Sequence, residues 1–143
     1  MTQEQKDLLL KDLCARLPYG VKVKLGDNPN IFDLEYRIKF AIMYGDSDKL
    51  EDILDITNIK PYLFPLSSMT EEQKYDFYCR FIENDCDFDD FKKFYLDNGV
   101  WHKLFTSFDD IEAMIDWFHK NHLDWRGLIP KDLANDATGK NIY

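Results

Sequence analysis

From residue 32 to residue 42 every even position is apolar (Phe32, Leu34, Tyr36, Ile38, Phe40 and Ile42), while Asp33, Glu35, Arg37 and Lys39 fill odd positions between them. Side chains of a strand alternate between its two faces, so this spacing predicts a half-buried strand over 32–42. A shorter alternation precedes it, with Val21, Val23 and Leu25 separated by Lys22 and Lys24, and the turn-rich GDNPN follows at 26–30. Together the two runs predict an antiparallel hairpin. Its register sets Lys24 opposite Asp33 and Lys22 opposite Glu35, and stacks Leu25, Val23 and Val21 on Phe32, Leu34 and Tyr36. A slip of one residue would turn the apolar side chains outward, so this register, or one displaced from it by two, is expected. Two strands alone are marginal. A third is sought in LEDILDI at 50–56, where Ile53 and Leu54 break the alternation and leave a short helix as a competitor.

Elsewhere the apolar period is that of a helix. Leu9, Leu10, Leu13 and Leu17 form a stripe behind a Thr2–Gln5 capping box, and Pro18 ends the run, which predicts a helix over about 3–16. In KPYLFPLSSMTEEQKYDF, residues 60–77, Lys60 and Phe64 each precede a proline and are held extended. Proline lacks a ladder donor, so the piece is expected to be neither helix nor central strand. It reads as a connector, pinned by Tyr62, Leu63 and Phe64, that ends at a second capping box, Thr70–Gln73. A helix then runs from Glu71 to near Asn84 with Tyr75, Tyr78, Phe81 and Ile82 on one face. A short aromatic helix follows (Phe88, Phe91, Phe94, Tyr95), closed by Asn98-Gly99. Ser107 with Asp110 caps a last helix whose stripe is Ile111, Met114, Ile115 and Phe118, with Trp117 at its border, stopping near Asn121. The expected fold is one α+β domain over 1–143. It has an N-terminal helix, a small antiparallel sheet of two or three strands, and a helical C-terminal half packed on one sheet face.

Composition narrows the partners. With 27 acidic and 18 basic residues the 143-residue chain carries a net charge of −9, which opposes contact with nucleic-acid phosphates or an anionic membrane. No run approaches the roughly 18 apolar residues of a membrane span, and the first turns carry acids rather than a basic leader. Cys14, Cys79 and Cys86 follow neither a disulfide nor a metal spacing, which fits the cytoplasm.

Candidate chemistry is sparse. Asp85, Asp87 and Asp89 resemble the opening of a calcium loop, but its sixth position is Asp90 instead of glycine and its twelfth is Leu96 instead of glutamate. The acids fit a helix N-terminus better. His119 and His122 are three apart and could share a metal with Asp116 or Asp124, although the dipole of a helix C-terminus also favours histidine there. There is no G-x-S-x-G elbow and no glycine-rich phosphate loop, so no catalytic residue and no cofactor is assigned. HLDWRGLI at 122–129 differs in kind, because Trp and Arg dominate interface hot spots. The proline-flanked aromatics of 60–65 would also make rigid anchors, so Tyr62 and Phe64, with Asp124, Trp125 and Arg126, are the candidate partner-binding residues. The structural alternative has Trp125 covering the core while Arg126 bridges Asp124 or a helix C-terminus.

Three islands, LPYGVKV at 17–23, IKPYLFPLSSMTEEQ at 59–73 and the stretch 116–134 containing HLDWRGLIPKDLA, resemble a group of small proteins carried in gut Bacteroidales genomes and by their phages and other mobile elements. That family brings a context and no established activity. Residues 26–57 do not match it, Phe64 stands where its pattern has a basic residue, and Trp125 where it has a tyrosine. Good fold signals without a catalytic constellation make the expected function a non-enzymatic cytoplasmic accessory role through protein–protein binding, with homo-oligomerisation through an open sheet edge a further option. Two rivals stand beside it. One is an acidic mimic of nucleic acid built from the runs 83–90 and 109–116, and the other a metal-dependent enzyme using His119 and His122.

Overall fold

A computed structural model of the chain describes residues 1–45, 55–83, 85–97 and 110–143. The capping box at Thr2 opens α1 (Gln3–Arg16): the Thr2 hydroxyl accepts from Gln5 N, and the Gln5 side chain accepts from Thr2 N. Leu9 and Leu13 are buried as expected, but Leu10 is exposed, and Asp12 and Arg16 share the buried face in its place. Pro18 starts a 3-10 turn, Leu17–Tyr19, which Gly20 closes in the left-handed region at φ 68°.

The sheet contains β1 (Lys22–Leu25), β2 (Phe32–Asp33), β3 (Ile59–Leu63) and β4 (Asn135–Asp136), in the order β2-β1-β3-β4. β1 is antiparallel to both β2 and β3, whereas β3 and β4 are parallel. Lys22 faces Asp33 and Val23 faces Phe32, which is the register displaced by two.

The strand predicted over 32–42 ends at Asp33, and the rest coils into α2 (Leu34–Tyr44). The same residues also satisfy a helical period, since Leu34, Ile38 and Ala41 fall at i, i+4 and i+7 and meet the core. Local chemistry decides between the two periods. Asp33 caps the helix by accepting from Tyr36 N at 2.9 Å, Glu35 and Lys39 pair at 2.6 Å one turn apart, and Gly45 ends it at φ 61°.

The 59–63 segment, expected to be neither helix nor central strand, is a central strand in spite of Pro61. Asn58 O accepts from Gly26 N and Leu63 O from Ala137 N, so alternate residues of β3 address different neighbours. Pro61 turns with Leu63 towards β4, at a level before β4 begins at Asn135, and its missing donor removes no β1–β3 bond. Of the third-strand candidate at 50–56, residues 50–54 lie outside the described residues; Asp55 caps a 3-10 turn, Ile56–Asn58.

The second capping box, at Thr70, starts α3 (Glu71–Phe81). Its buried side chain is Phe77, with Ile82 just past the end, while Tyr75 points outward. α4 (Phe88–Phe91) is capped by Asp87, which accepts from Asp90 N, and continues as a π turn, Lys92–Leu96, in which Phe94 is exposed. α5 (Ile111–Lys120) buries Met114, Trp117, Phe118 and His119. The expected signals at Asn84, Asn98-Gly99 and Ser107 lie outside the described residues.

Two apolar clusters form among the described residues. One gathers Leu9, Leu13, Val23, Ile59 and Leu63 beneath the sheet with Leu128. The other is aromatic and helical: the Phe77 ring lies 5.0 Å from Trp117, 5.3 Å from Phe118 and 6.0 Å from Phe91. No described helix is long and apolar enough to cross a membrane.

Candidate functional site

Residues 122–129 join the two clusters. His122 adopts φ 54°, and its carbonyl accepts from Phe64 N at 2.9 Å while Asp124 N donates to Phe64 O at 2.8 Å, so that Phe64 and Leu123 form a parallel bridge beyond β3. The Asp124 carboxylate accepts from Leu128 N at 2.7 Å and Ile129 N at 2.8 Å, which closes the turn around Gly127 (φ 66°). Both oxygens face inward, and the residue is buried.

Arg126 pairs neither with Asp124 nor with a helix end. Its Nε lies 3.1 Å from Asp12 Oδ1, and its guanidinium sits 4.1 Å above the Trp125 ring. Asp12, fully buried, also accepts from Arg16 Nε at 2.6 Å and Arg16 Nη2 at 3.2 Å, and Arg16 Nη2 donates to Leu123 O at 2.8 Å. Two guanidiniums, one fully buried and one half-buried, thus share one buried carboxylate. His119 Nε2 stands 3.9 Å from the same carboxylate. Burial first, and Arg16 second, push the pKa of both His119 and His122 down to about 4, so both rings are neutral at pH 7. Among the described residues Arg16 Nη1, Arg126 Nε, His119 Nε2 and His122 Nδ1 are buried without an aligned hydrogen-bond partner, so Arg126 meets Asp12 as an ion pair.

Tyr143 completes the junction. Its hydroxyl accepts from Lys22 N at 3.1 Å and donates to Tyr62 O at 2.6 Å, where a direct ladder bond between β1 and β3 would otherwise close. The ring stacks on His122 with centroids 3.6 Å apart and lies 5.8 Å from Phe64. Burial pushes the phenol up to about 12.

Of the candidate partner-binding residues, Tyr62 and Asp124 are buried, while Phe64, Trp125 and Arg126 are half-buried. The fold brings Phe64 to Asp124 through the backbone and Arg126 to Trp125 through the ring. Asp12, Arg16 and Tyr143 were not foreseen. A signal for the first two exists: Leu9, Asp12, Leu13 and Arg16 fall at i, i+3, i+4 and i+7, so an acid and a base occupy core positions of an amphipathic helix. Among the described residues no three His, Cys, Asp or Glu side chains are placed to hold a metal, and the two guanidiniums beside His119 would repel a cation. The sealed cluster is suited to holding elements together.

Among the described residues the most exposed large apolar side chains lie on α2. Tyr36, Ile42, Met43 and Tyr44 are 64%, 65%, 75% and 67% exposed. Phe40 links the aromatic residues, with centroids 6.1 Å from Tyr36 and 4.5 Å from Tyr44. Comparison with protein-family models, with curated proteins and with solved structures finds no match for this chain.

Proposed function

We propose that this chain is a non-enzymatic cytoplasmic accessory protein, carried by a phage or mobile element as its sequence islands imply, that works by binding another protein. The observation that supports this is α2, where Tyr36, Ile42, Met43 and Tyr44 stand in water on one short helix and Phe40 joins Tyr36 to Tyr44. Contiguous exposed apolar surface of this kind costs solubility and marks interaction sites. Tyr36, Phe40 and Tyr44 are rigid anchors that lose little entropy on contact. The net charge of −9 favours a partner with an apolar groove and a basic rim.

The rival reading as a nucleic-acid mimic is weaker, because many carboxylates are already engaged. Asp87 caps α4, Asp89 pairs with Lys92, Asp116 accepts from the Tyr19 hydroxyl, and Asp12 and Asp124 are buried.

The test is affinity capture at moderate salt with wild type and a Met43→Lys/Tyr44→Lys variant as matched baits, together with light scattering of each. A protein retained by wild type and lost with the variant is expected, with the variant's melting temperature unchanged. Identical capture by both baits, or none by either, removes this reading. A wild-type dimer that the variant abolishes assigns the face to self-association instead.

A further inference from the structure

We propose that the polar face of the sheet binds a small phosphate-bearing anion between Lys24 and Lys60. These two lysines are direct cross-strand partners in the β1–β3 register, so both ammonium groups rise from the same face. Like charges set directly opposite destabilise an antiparallel pair unless an anion lies between them. The pairing is pronounced in a chain that carries nine more acids than bases. Among the described residues Lys60 pairs only with Asp132, at 2.6 Å, whose side chain is itself 91% exposed and thus weakly held. Lys24 has none among the described residues.

A cavity of about 360 Å³ lies at this point, lined by Lys24, Lys60, Thr57, Asn58, Asn135 and the Gly26-Asp27 turn. Its size is at the lower end for small-molecule sites. The register of β4 places Asn135 beside Tyr62, on the face that carries the lysines. Asn135 Nδ2 is buried there without an acceptor among the described residues, and an unsatisfied buried donor is destabilising. A phosphate oxygen would supply that acceptor, and its charge would offset the lysine pair. Asp27, at the rim, opposes an anion that extends in its direction, which confines the charged group to the lysine side.

The three features have separate origins: a register, a cavity and an orphaned amide. They converge on one ligand chemistry. Polyanions are disfavoured by the overall charge, so a free small molecule is the expected source.

The experiment titrates inorganic phosphate into isotope-labelled protein and follows backbone amides and the Asn135 side chain by NMR, against sodium chloride at matched ionic strength. Saturable shifts at Lys24, Gly26, Asn58, Lys60 and the Asn135 side chain are expected with phosphate only. Lys24→Gln should weaken binding by about tenfold, the loss of one charge-assisted hydrogen bond. Because Lys24 makes no ion pair among the described residues, this variant should melt no lower than wild type in phosphate-free buffer. Phosphate should raise the melting temperature of wild type and not of the variant. Equal shifts with chloride, or unchanged phosphate affinity in Lys24→Gln, would overturn the assignment.

Discussion

Replacing Asp12 by alanine strands the Arg16 guanidinium in the interior and also takes the carboxylate partner from half-buried Arg126. Breaking a buried pair on one side typically costs about 3–5 kcal/mol, and a loss of that size in urea unfolding is expected for Asp12→Ala. The neighbouring imidazoles give the cluster a pH signature. Their folded pKa is about 4 against an ordinary 6.5, so below 6.5 the unfolded chain takes up protons that the folded chain refuses. The stability contributed by the two neutral imidazoles is therefore fully present above about pH 6.5, is lost as the pH drops through that window, and changes no further below about 4. The loss is roughly 3 kcal/mol per ring. His122→Phe preserves a ring against Tyr143 but has no proton to gain, and its urea midpoint should fall less than that of wild type between pH 7 and pH 4.5. Of these residues, sequence spacing exposed the proximity of His119 and His122 but not their surroundings, which come from a helix more than a hundred positions away.

Local chemistry was legible wherever it was self-contained. Thr2 with Gln5 and Thr70 with Gln73 cap helices that start where their sequences say, since the capping partners lie within one turn. The 32–42 stretch misled because its apolar residues satisfy both a period of two and one of 3.6. Asp33 and Gly45, at its two ends, hold the deciding information. Asp33→Ala removes the cap on Tyr36 N and the partner of Lys22 at 3.1 Å, and should cost about 1–2 kcal/mol. Faster hydrogen exchange at the Tyr36 amide would place that loss at the start of α2, whereas an unchanged rate would show that the helix is held by packing alone. β3 illustrates a different limit. Whether Pro61 breaks a sheet depends on which neighbour its nitrogen faces, and that neighbour, β4, lies far along the chain.

At the scale of the molecule, an apolar cluster under the sheet and an aromatic one among the helices meet across a charged seam. Arg16 reaches from α1 to the Leu123 carbonyl, Arg126 reaches back to Asp12, and Tyr143 bolts β1 to β3 beside them. Tyr143→Phe removes only the hydroxyl and leaves Lys22 N and Tyr62 O without their bridge. A loss of about 1–3 kcal/mol is expected, and it should appear as faster exchange at the Lys22 amide. The general α+β plan was legible from periodicity, but the seam depends on contacts between distant segments.

The parallel pairing of β3 with β4 has a consequence for synthesis. A ribosome releases Leu63 long before Asn135 and Asp136, and the chain for α3, α4 and α5 emerges in the interval. During that time one side of β3 offers an unpaired backbone edge to any passing strand. The last ladder of this sheet can close only after translation has delivered the helices in between, so the nascent chain is most exposed to misassociation while residues 64–134 are still being made.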